Sequence, residues 1–312
     1  MGLMKIVSIS AVVIAAGLAL TGCSSDQTTT EDTQAAATTG AILQDQDPDD
    51  DPLSCFTPPA DGTVDIVATT QTWADVAKAA APGANVTTII KGGSEDPHEY
   101  EPSAQDMQAI NTADLIVVNG AGYDQWAYDG KENDPRFIFA QKPGEDPDLS
   151  AHVFFDTENL EYVATRVAAC TDKMQSEANA DSVTQRLNDF EQRMQAAAAG
   201  KGVMQTETVA DYIITKSGMN DMTPAGYREA SLKEEEPAAA DLDQFLTTVR
   251  SGDVSVLFVN PDTASGTTDR IRAAAEESGV AIIEIGETPG EGENFLDYFD
   301  SIITELTNAT AA

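Results

Sequence analysis

Histidine is scarce in this chain, and both of its histidines stand where a metal ligand could stand. Only two occur in 312 residues, His98 and His152. They are far apart in sequence, each beyond a predicted strand, so only the tertiary fold could bring them together. Neither lies on the apolar face of a helical pattern, where core packing would explain it. Because imidazole is a ligand for zinc, iron and nickel, both are candidate ligands of a transition-metal ion.

Two glutamates extend this hypothesis to four ligands. Glu207 directly follows the apolar segment 203–206, and Glu287 follows the segment 281–285 after a single glycine. In open α/β sheets, ligands bind beyond the carboxyl ends of the strands. Two neutral imidazoles and two carboxylates balance the charge of a divalent ion, and carboxylates also suit manganese. Acids beyond strand ends are common in a chain with 53 Asp and Glu, so this pattern alone leaves the choice of carboxylates open.

Alternating strands and helices must position these side chains. Apolar or β-branched segments predict strands at residues 64–69, 85–90, 114–119, 136–140, 203–206, 254–260 and 281–285. Amphipathic spacing predicts helices at residues 73–81, 103–112, 157–199 with a break near Asn179, 209–217, 239–250, 268–278 and 294–308. This alternation predicts an α/β fold of mainly parallel sheets flanked by helices. The long helical stretch in the middle indicates two such lobes joined by a helix.

The charge balance is strongly acidic. The chain has 17 Lys and Arg against 53 Asp and Glu, a formal net charge of −36. This composition argues against nucleic-acid binding, since phosphate contacts need Lys and Arg. It favours solubility and could raise the cation concentration near the surface, although adaptation to the organism's surroundings would also explain it. The HExxH motif and the nucleophile elbow are both absent from the sequence, so we expect no enzyme.

The N-terminus predicts export and a lipid anchor. Residues 1–22 carry Lys5 ahead of an apolar run that is too short to span a bilayer comfortably. The run ends in LTGC at Cys23, which resembles the lipobox of bacterial lipoproteins, where the signal is cut before a lipid-bearing cysteine. We therefore expect an extracytoplasmic protein held at the cell membrane by lipid on Cys23. Residues 24–61 are polar without a hydrophobic period and predict a flexible acidic tether.

The remaining cysteines form an even pair. Once Cys23 is lipidated, Cys55 and Cys170 remain, in an oxidising compartment. We expect a disulfide that ties the segment before the first strand to a helix of the first lobe. Two buried free thiols are the alternative.

Several segments resemble the metal-binding proteins of zinc and manganese ABC importers (cluster A-I type). DPHEYEPS at residues 96–103 resembles the family's DPH-x-Y/F-x-P motif, and ADLIVVNG at residues 113–120 resembles its AD-hydrophobic-NG strand. AHVFFD at residues 151–156 resembles its second histidine motif, HVW-x-D. TETVADY at residues 206–212 resembles its third-ligand segment, and Glu236-Pro237 matches a further landmark. The similarity extends from the first predicted strand to the C-terminus.

The resemblance implies which residues bind the metal. Carried over residue by residue, the ligands are His98, His152, Glu207 and Glu287. The fourth is an acid in the loop after a late strand, and Glu291 and Glu293 are alternatives to Glu287. The resemblance also implies two α/β lobes joined by one long stiff helix, with the metal buried between them and little hinge motion. Glu in the third ligand place resembles the manganese or iron members of the family. By the Irving–Williams order, however, zinc binds such a site more tightly than manganese does.

The resemblance also implies a function. We expect a monomeric substrate-binding protein that captures Mn²⁺ or Zn²⁺, with manganese preferred, and delivers it to an ABC permease in the membrane. A surface adhesin or metal-buffering lipoprotein is the alternative, and a secreted zinc hydrolase is a more distant one. The predicted boundaries are a signal peptide at residues 1–22, a tether at 23–61, lobes at 62–180 and 201–312, and a linking helix at 181–200.

Overall fold

The computed structural model describes most of the chain beyond the predicted tether. The described residues are 62–93, 100–141, 150–174, 176–233, 235–263 and 265–311. The predicted signal peptide, Cys23, the tether and Cys55 therefore lie outside the described residues, as does His98. No helix within the described ranges is long and apolar enough to cross a membrane.

The first lobe is built on a four-stranded parallel sheet. Its strands are β1 (Asp65–Thr70), β2 (Asn85–Ile90), β3 (Leu115–Gly120) and β4 (Phe137–Gln141), in the order β2-β1-β3-β4. Every residue of β3 is buried, as expected for a parallel strand covered on both faces. Its helices are α1 (Gln71–Ala80), α2 (Ala104–Thr112), the short α3 (Gln125–Tyr128) and α4 (Thr157–Lys173).

The second lobe repeats this topology. Its parallel strands are β5 (Gly202–Gln205), β6 (Asn220–Asp221), β7 (Val254–Val259) and β8 (Ala281–Glu284), in the order β6-β5-β7-β8. Its helices are α6 (Asp211–Ser217), α7 (Ala225–Leu232), α8 (Ala239–Val249), α9 (Gly266–Ser278) and α10 (Phe295–Thr310). The two sheets thus share one strand order, which places the carboxyl ends of corresponding strands in equivalent positions.

One helix, α5 (Asp181–Ala198), joins the lobes and spans about 27 Å at the usual rise per residue. Its buried side chains recur at helical spacing and are Val183, Leu187, Phe190, Met194 and Ala198. The amphipathic spacing in the sequence predicts a helical segment that begins after a break near Asn179 and ends at residue 199, and α5, which ends at Ala198, confirms it.

One hydrophobic cluster contains buried side chains from both lobes. It includes Trp73 of α1, Phe155 before α4, Phe190 of α5 and Phe299 of α10. The ring centroids of Phe155 and Phe299 are 5.3 Å apart, and those of Phe190 and Phe299 are 5.1 Å apart. The backbone N–H of Phe295 also donates to the buried carboxylate of Asp75 in α1, at 2.9 Å. Because interiors are close-packed, this shared core resists movement of one lobe against the other.

The predicted α/β architecture of two lobes joined by a long helix is confirmed. Three short elements, α3, β6 and α7, were not predicted. Cys170 in α4 is buried and disulfide-bonded, and its partner lies outside the described residues. The pairing of Cys170 with Cys55 stays a prediction.

Candidate metal-binding site

His152 lies at the junction of the two lobes. It directly precedes a single 3-10 turn, Val153–Phe155, that leads into α4, and only 8% of its surface is exposed. Its Nδ1 atom lies 2.6 Å from the hydroxyl of Ser150. Tyr123 and Phe154 pack edge-on against the imidazole ring, with centroid distances of 6.4 and 5.8 Å. The imidazole is therefore fixed in orientation by side chains around it.

Glu207 follows β5, as the sequence predicts. One carboxylate oxygen accepts a hydrogen bond from Asn260 Nδ2 at 2.6 Å, and the other accepts one from the Thr263 hydroxyl. Burial raises the pKa of the Glu207 carboxyl and the nearby Glu287 carboxylate adds to the rise, whereas these two hydrogen bonds oppose it. A divalent cation would relieve both the burial and the repulsion between the carboxylates.

Glu287 follows β8 and reaches across to the first lobe. Its Oε2 atom accepts a hydrogen bond from the Tyr123 hydroxyl at 3.0 Å, and its Oε1 atom lies 3.5 Å from Nε2 of His152. The side chains of His152 and Glu287 are 10% and 13% exposed. An imidazole nitrogen and a carboxylate oxygen from different lobes thus meet in a nearly buried position, where a divalent ion would find both kinds of ligand.

The three described candidates face one cavity of about 630 Å³. Its lining includes His152, Glu207 and Glu287 beside Tyr123 and Thr263, and it continues towards Glu235 and Glu236. Across the described ranges, no three His, Cys, Asp or Glu side chains lie close enough together to hold a metal ion by themselves. The described residues therefore supply a His152–Glu287 pair with Glu207 in the same cavity, and the fourth predicted ligand, His98, lies outside them.

The other predicted residues fall into two groups. His98 lies outside the described residues. Gly93, the last described residue before it, accepts a hydrogen bond at its carbonyl from Thr288 Oγ1 of the Glu287 loop at 3.4 Å. Glu291 and Glu293, the alternatives for the fourth ligand, are both exposed. The Glu293 carboxylate accepts from the backbone N–H of Gly290 at 3.1 Å, within its own loop.

Three residues of the site escaped the sequence analysis. The ring of Tyr123 packs against Phe154 of the first lobe, and its hydroxyl donates to Glu287 of the second lobe. Asn260 forms a hydrogen bond with Glu207, and Ser150 forms one with His152. Asn260 directly follows β7, so the rule that ligands bind beyond strand ends contains the signal for it. Ser150 carries no such signal in the sequence.

Comparisons with known proteins agree with this architecture. A family model described as zinc-uptake complex component A, periplasmic, matches residues 66–309. The manganese-binding lipoprotein MntA of Halalkalibacterium halodurans is 36% identical over 84 residues, which cover 24% of this chain and 28% of that protein.

Solved structures share the fold at low identity. The periplasmic zinc-binding protein TroA from Treponema pallidum matches with a TM-score of 0.61 and 18% identity, covering 80% of this chain and 100% of that one. The laminin-binding protein Lmb of Streptococcus agalactiae, described as bifunctional with adhesin and metal-transporting activity, matches with a TM-score of 0.60 and 16% identity. That match covers 79% of this chain and 99% of Lmb. At these identities the likeness establishes the fold.

Proposed function

This chain belongs to the family of the periplasmic zinc-uptake complex component A, and we propose that it captures a divalent transition-metal ion outside the cytoplasmic membrane and delivers it to an ABC importer. The observation that carries this proposal is the meeting of His152 and Glu287 from opposite lobes, with Glu207 in the same cavity. Neutral imidazole and carboxylate together suit ions such as Zn²⁺ and Mn²⁺. A metal-uptake component accounts for this site better than an adhesin without transport or a secreted hydrolase does.

The proposed ligands are His98, His152, Glu207 and Glu287. Both carboxylates are already oriented by hydrogen-bond donors from the protein, which is typical of metal ligands. Glu287 is preferred to Glu291 and Glu293 because it lines the cavity and lies beside His152, whereas the other two are exposed. Manganese is the proposed cargo because one of the four places holds Glu rather than a third histidine, and zinc is its competitor.

Titration of metal-stripped protein with Mn²⁺ and Zn²⁺ tests this proposal. A ligand that binds only the folded state raises its stability by about 4 kcal/mol at a thousandfold excess over Kd. We expect a corresponding rise in Tm that His152→Ala and Glu287→Gln each abolish. The matched control is Glu293→Gln, which removes an exposed acid from the same loop and should leave the rise intact.

Each outcome of the titration has a distinct meaning. If neither ion raises the Tm of the wild-type protein, the metal-capture proposal is wrong. If Glu293→Gln abolishes the rise and Glu287→Gln does not, capture stands and the fourth ligand moves to Glu293. Competition between the two ions then ranks their affinities for the site.

The anchor and the boundaries complete the proposal. We propose that residues 1–22 are a signal peptide, that Cys23 carries lipid and that residues 23–61 hold the lobes (62–180 and 201–312, with the linking helix at 181–200) near a membrane permease as a monomer. The name of the related MntA, a manganese-binding lipoprotein, supports the anchor. Cys23→Ala should move the protein from the membrane fraction to the medium or periplasm. Retention of the variant in the membrane fraction would contradict the anchor.

A further inference from the structure

Ser150 makes three hydrogen bonds that converge on its hydroxyl. The Oγ atom lies 2.6 Å from Nδ1 of His152, 3.2 Å from the backbone nitrogen of His152 and 3.0 Å from the carbonyl oxygen of Thr208. Ser150 is 2% exposed. A hydroxyl this buried exchanges few bonds with solvent, so its donor and acceptor roles are set by these partners.

The chemistry of the three partners assigns the protons. A serine hydroxyl has one hydrogen to donate and two lone pairs to accept with. The Thr208 carbonyl can only accept, and the His152 backbone N–H can only donate. All three bonds form together when the Ser150 hydroxyl donates to the Thr208 carbonyl and accepts from the backbone N–H and from Nδ1–H of His152. This arrangement places the imidazole proton on Nδ1 and leaves Nε2, which lies 3.5 Å from Oε1 of Glu287, without a proton.

The same serine joins the two lobes behind the site. Thr208 is the residue after Glu207, so the Ser150–Thr208 bond ties the segment that carries His152 to the turn that carries Glu207. A second bond reinforces this link, since the Tyr212 hydroxyl of α6 donates to the carbonyl of Ser150 at 3.1 Å. His152 therefore belongs to the first lobe by sequence but is held against the second.

We propose that Ser150 is a positioning residue for metal capture: it keeps His152 in the tautomer whose Nε2 can bind a metal and fixes its distance from Glu207. This assignment rests on the proposed function. Partners that fix the tautomer and orientation of a ligating histidine contribute about 10–100-fold to metal affinity. Ser150 does so from outside the ligand set and does not itself touch the ion.

Affinity measurements with a matched serine variant test the positioning role. Ser150→Ala should weaken Zn²⁺ and Mn²⁺ binding by about 10–100-fold in calorimetric titrations. Ser217→Ala removes another fully buried hydroxyl, one that donates to the carbonyl of Ile214 at 3.0 Å, and should leave both affinities unchanged. Equal affinities in Ser150→Ala and wild-type protein would overturn the proposal. Wild-type protein that binds neither ion would instead overturn the proposed function.

The tautomer itself can be observed without metal. Long-range ¹H–¹⁵N NMR separates Nδ1–H from Nε2–H imidazoles, and a chain with two histidines gives two ring systems, assigned with His98→Gln. We expect His152 of the metal-free wild type to be the Nδ1–H tautomer and Ser150→Ala to shift the population towards Nε2–H. An Nε2–H tautomer in the wild type would overturn the proposal independently of whether any variant folds.

Discussion

At the scale of single residues, each lobe uses an asparagine at the carboxyl end of its third strand to hold a segment that carries a proposed ligand. Asn119 is the next-to-last residue of β3, and its Nδ2 atom donates to the carbonyl of Ala151, next to His152, at 2.8 Å. Asn260 follows β7, the corresponding strand, and donates to Glu207. Both asparagines are at most 1% exposed. The repeated topology thus supplies the same positioning device twice, once through a backbone carbonyl and once through the Glu207 carboxylate.

Tyr123→Phe tests the contact that crosses the lobes. The change removes the hydroxyl that donates to Glu287 and keeps the ring that packs against Phe154 at a centroid distance of 5.8 Å. We expect metal affinity to fall about tenfold, because the carboxylate loses the donor that orients it, with little change in the Tm of metal-free protein. Isothermal titration with Zn²⁺ and Mn²⁺ measures this. Tyr162→Phe, at a 37% exposed tyrosine of α4, is the control, and an equal loss in it would contradict the assignment.

The sequence predicted part of this site because strand ends are predictable. Glu207 and Glu287 follow apolar segments, and the structure brings both to one cavity with His152. Tyr123 could not be predicted in the same way, since its direction depends on a left-handed turn at Gly120, Ala121 and Gly122 with φ of 82°, 52° and 85°. A Cβ at Gly120 would collide with the carbonyl of Gln141, so glycine is required there. The pattern of apolar residues does not predict the direction in which such a turn places the side chain of Tyr123.

At the scale of elements, local signals set the long helices and strands. Ser103 and Asp106 form a capping box at the start of α2, and Gly279 ends α9 in a left-handed conformation. The missed elements lack such signals. β6 has two residues, both exposed, and α7 buries only Tyr227, so neither shows a hydrophobic period. β6 forms because it pairs with β5, and α7 forms because Tyr227 packs against α8. Both are tertiary contacts, which the local sequence pattern does not reveal.

The Asp134–Arg136 ion pair predicts that the free energy of unfolding depends on pH through contacts at the end of α2. Arg136 Nη2 lies 2.7 Å from Asp134 Oδ2, and Nη1 donates to the carbonyls of Asn111 and Ala113 at the end of α2. The hydrogen bonds from Arg136 lower the pKa of the Asp134 carboxyl. Because the pKa is lower in the folded state, the stabilisation is complete above the unfolded value of about 4 and is lost as pH falls through the folded value.

Asp134→Asn should therefore lower the free energy of unfolding by about 1 kcal/mol at pH 7, the upper end for a partly exposed ion pair. The difference from wild type should shrink in acid, at the lowest pH at which both proteins stay folded. Urea denaturation at the two pH values measures both free energies. Asp129→Asn changes an exposed aspartate nearby and serves as the control. A difference that stays constant or grows in acid would contradict the role assigned to the pair.

At the scale of the whole molecule, the shared core predicts cooperative unfolding of the two lobes. Both tryptophans, Trp73 and Trp126, belong to the first lobe, so their fluorescence reports on that lobe, whereas far-UV circular dichroism reports on the helices of both. We expect the two signals to change at one denaturant midpoint, because one hydrophobic cluster contains buried side chains from both lobes. A fluorescence transition that precedes or follows the dichroism transition would show that the lobes unfold separately.

The net charge of −36 predicts how salt acts on the molecule. Repulsion among the excess carboxylates opposes the compact state, and dissolved ions screen it, with a Debye length that falls from about 10 Å at 0.1 M to about 3 Å at 1 M. We therefore expect NaCl to raise the Tm of metal-free protein in scanning calorimetry at pH 7. Near pH 4, where carboxylates are partly protonated, the same addition should raise the Tm less. A fall in Tm with salt at pH 7 would mean that attractive ion pairs outweigh the repulsion. Such pairs occur where the linking helix meets α10, as between Arg193 of α5 and Asp300 of α10 at 2.6 Å, but carboxylates outnumber cations too far for them to dominate.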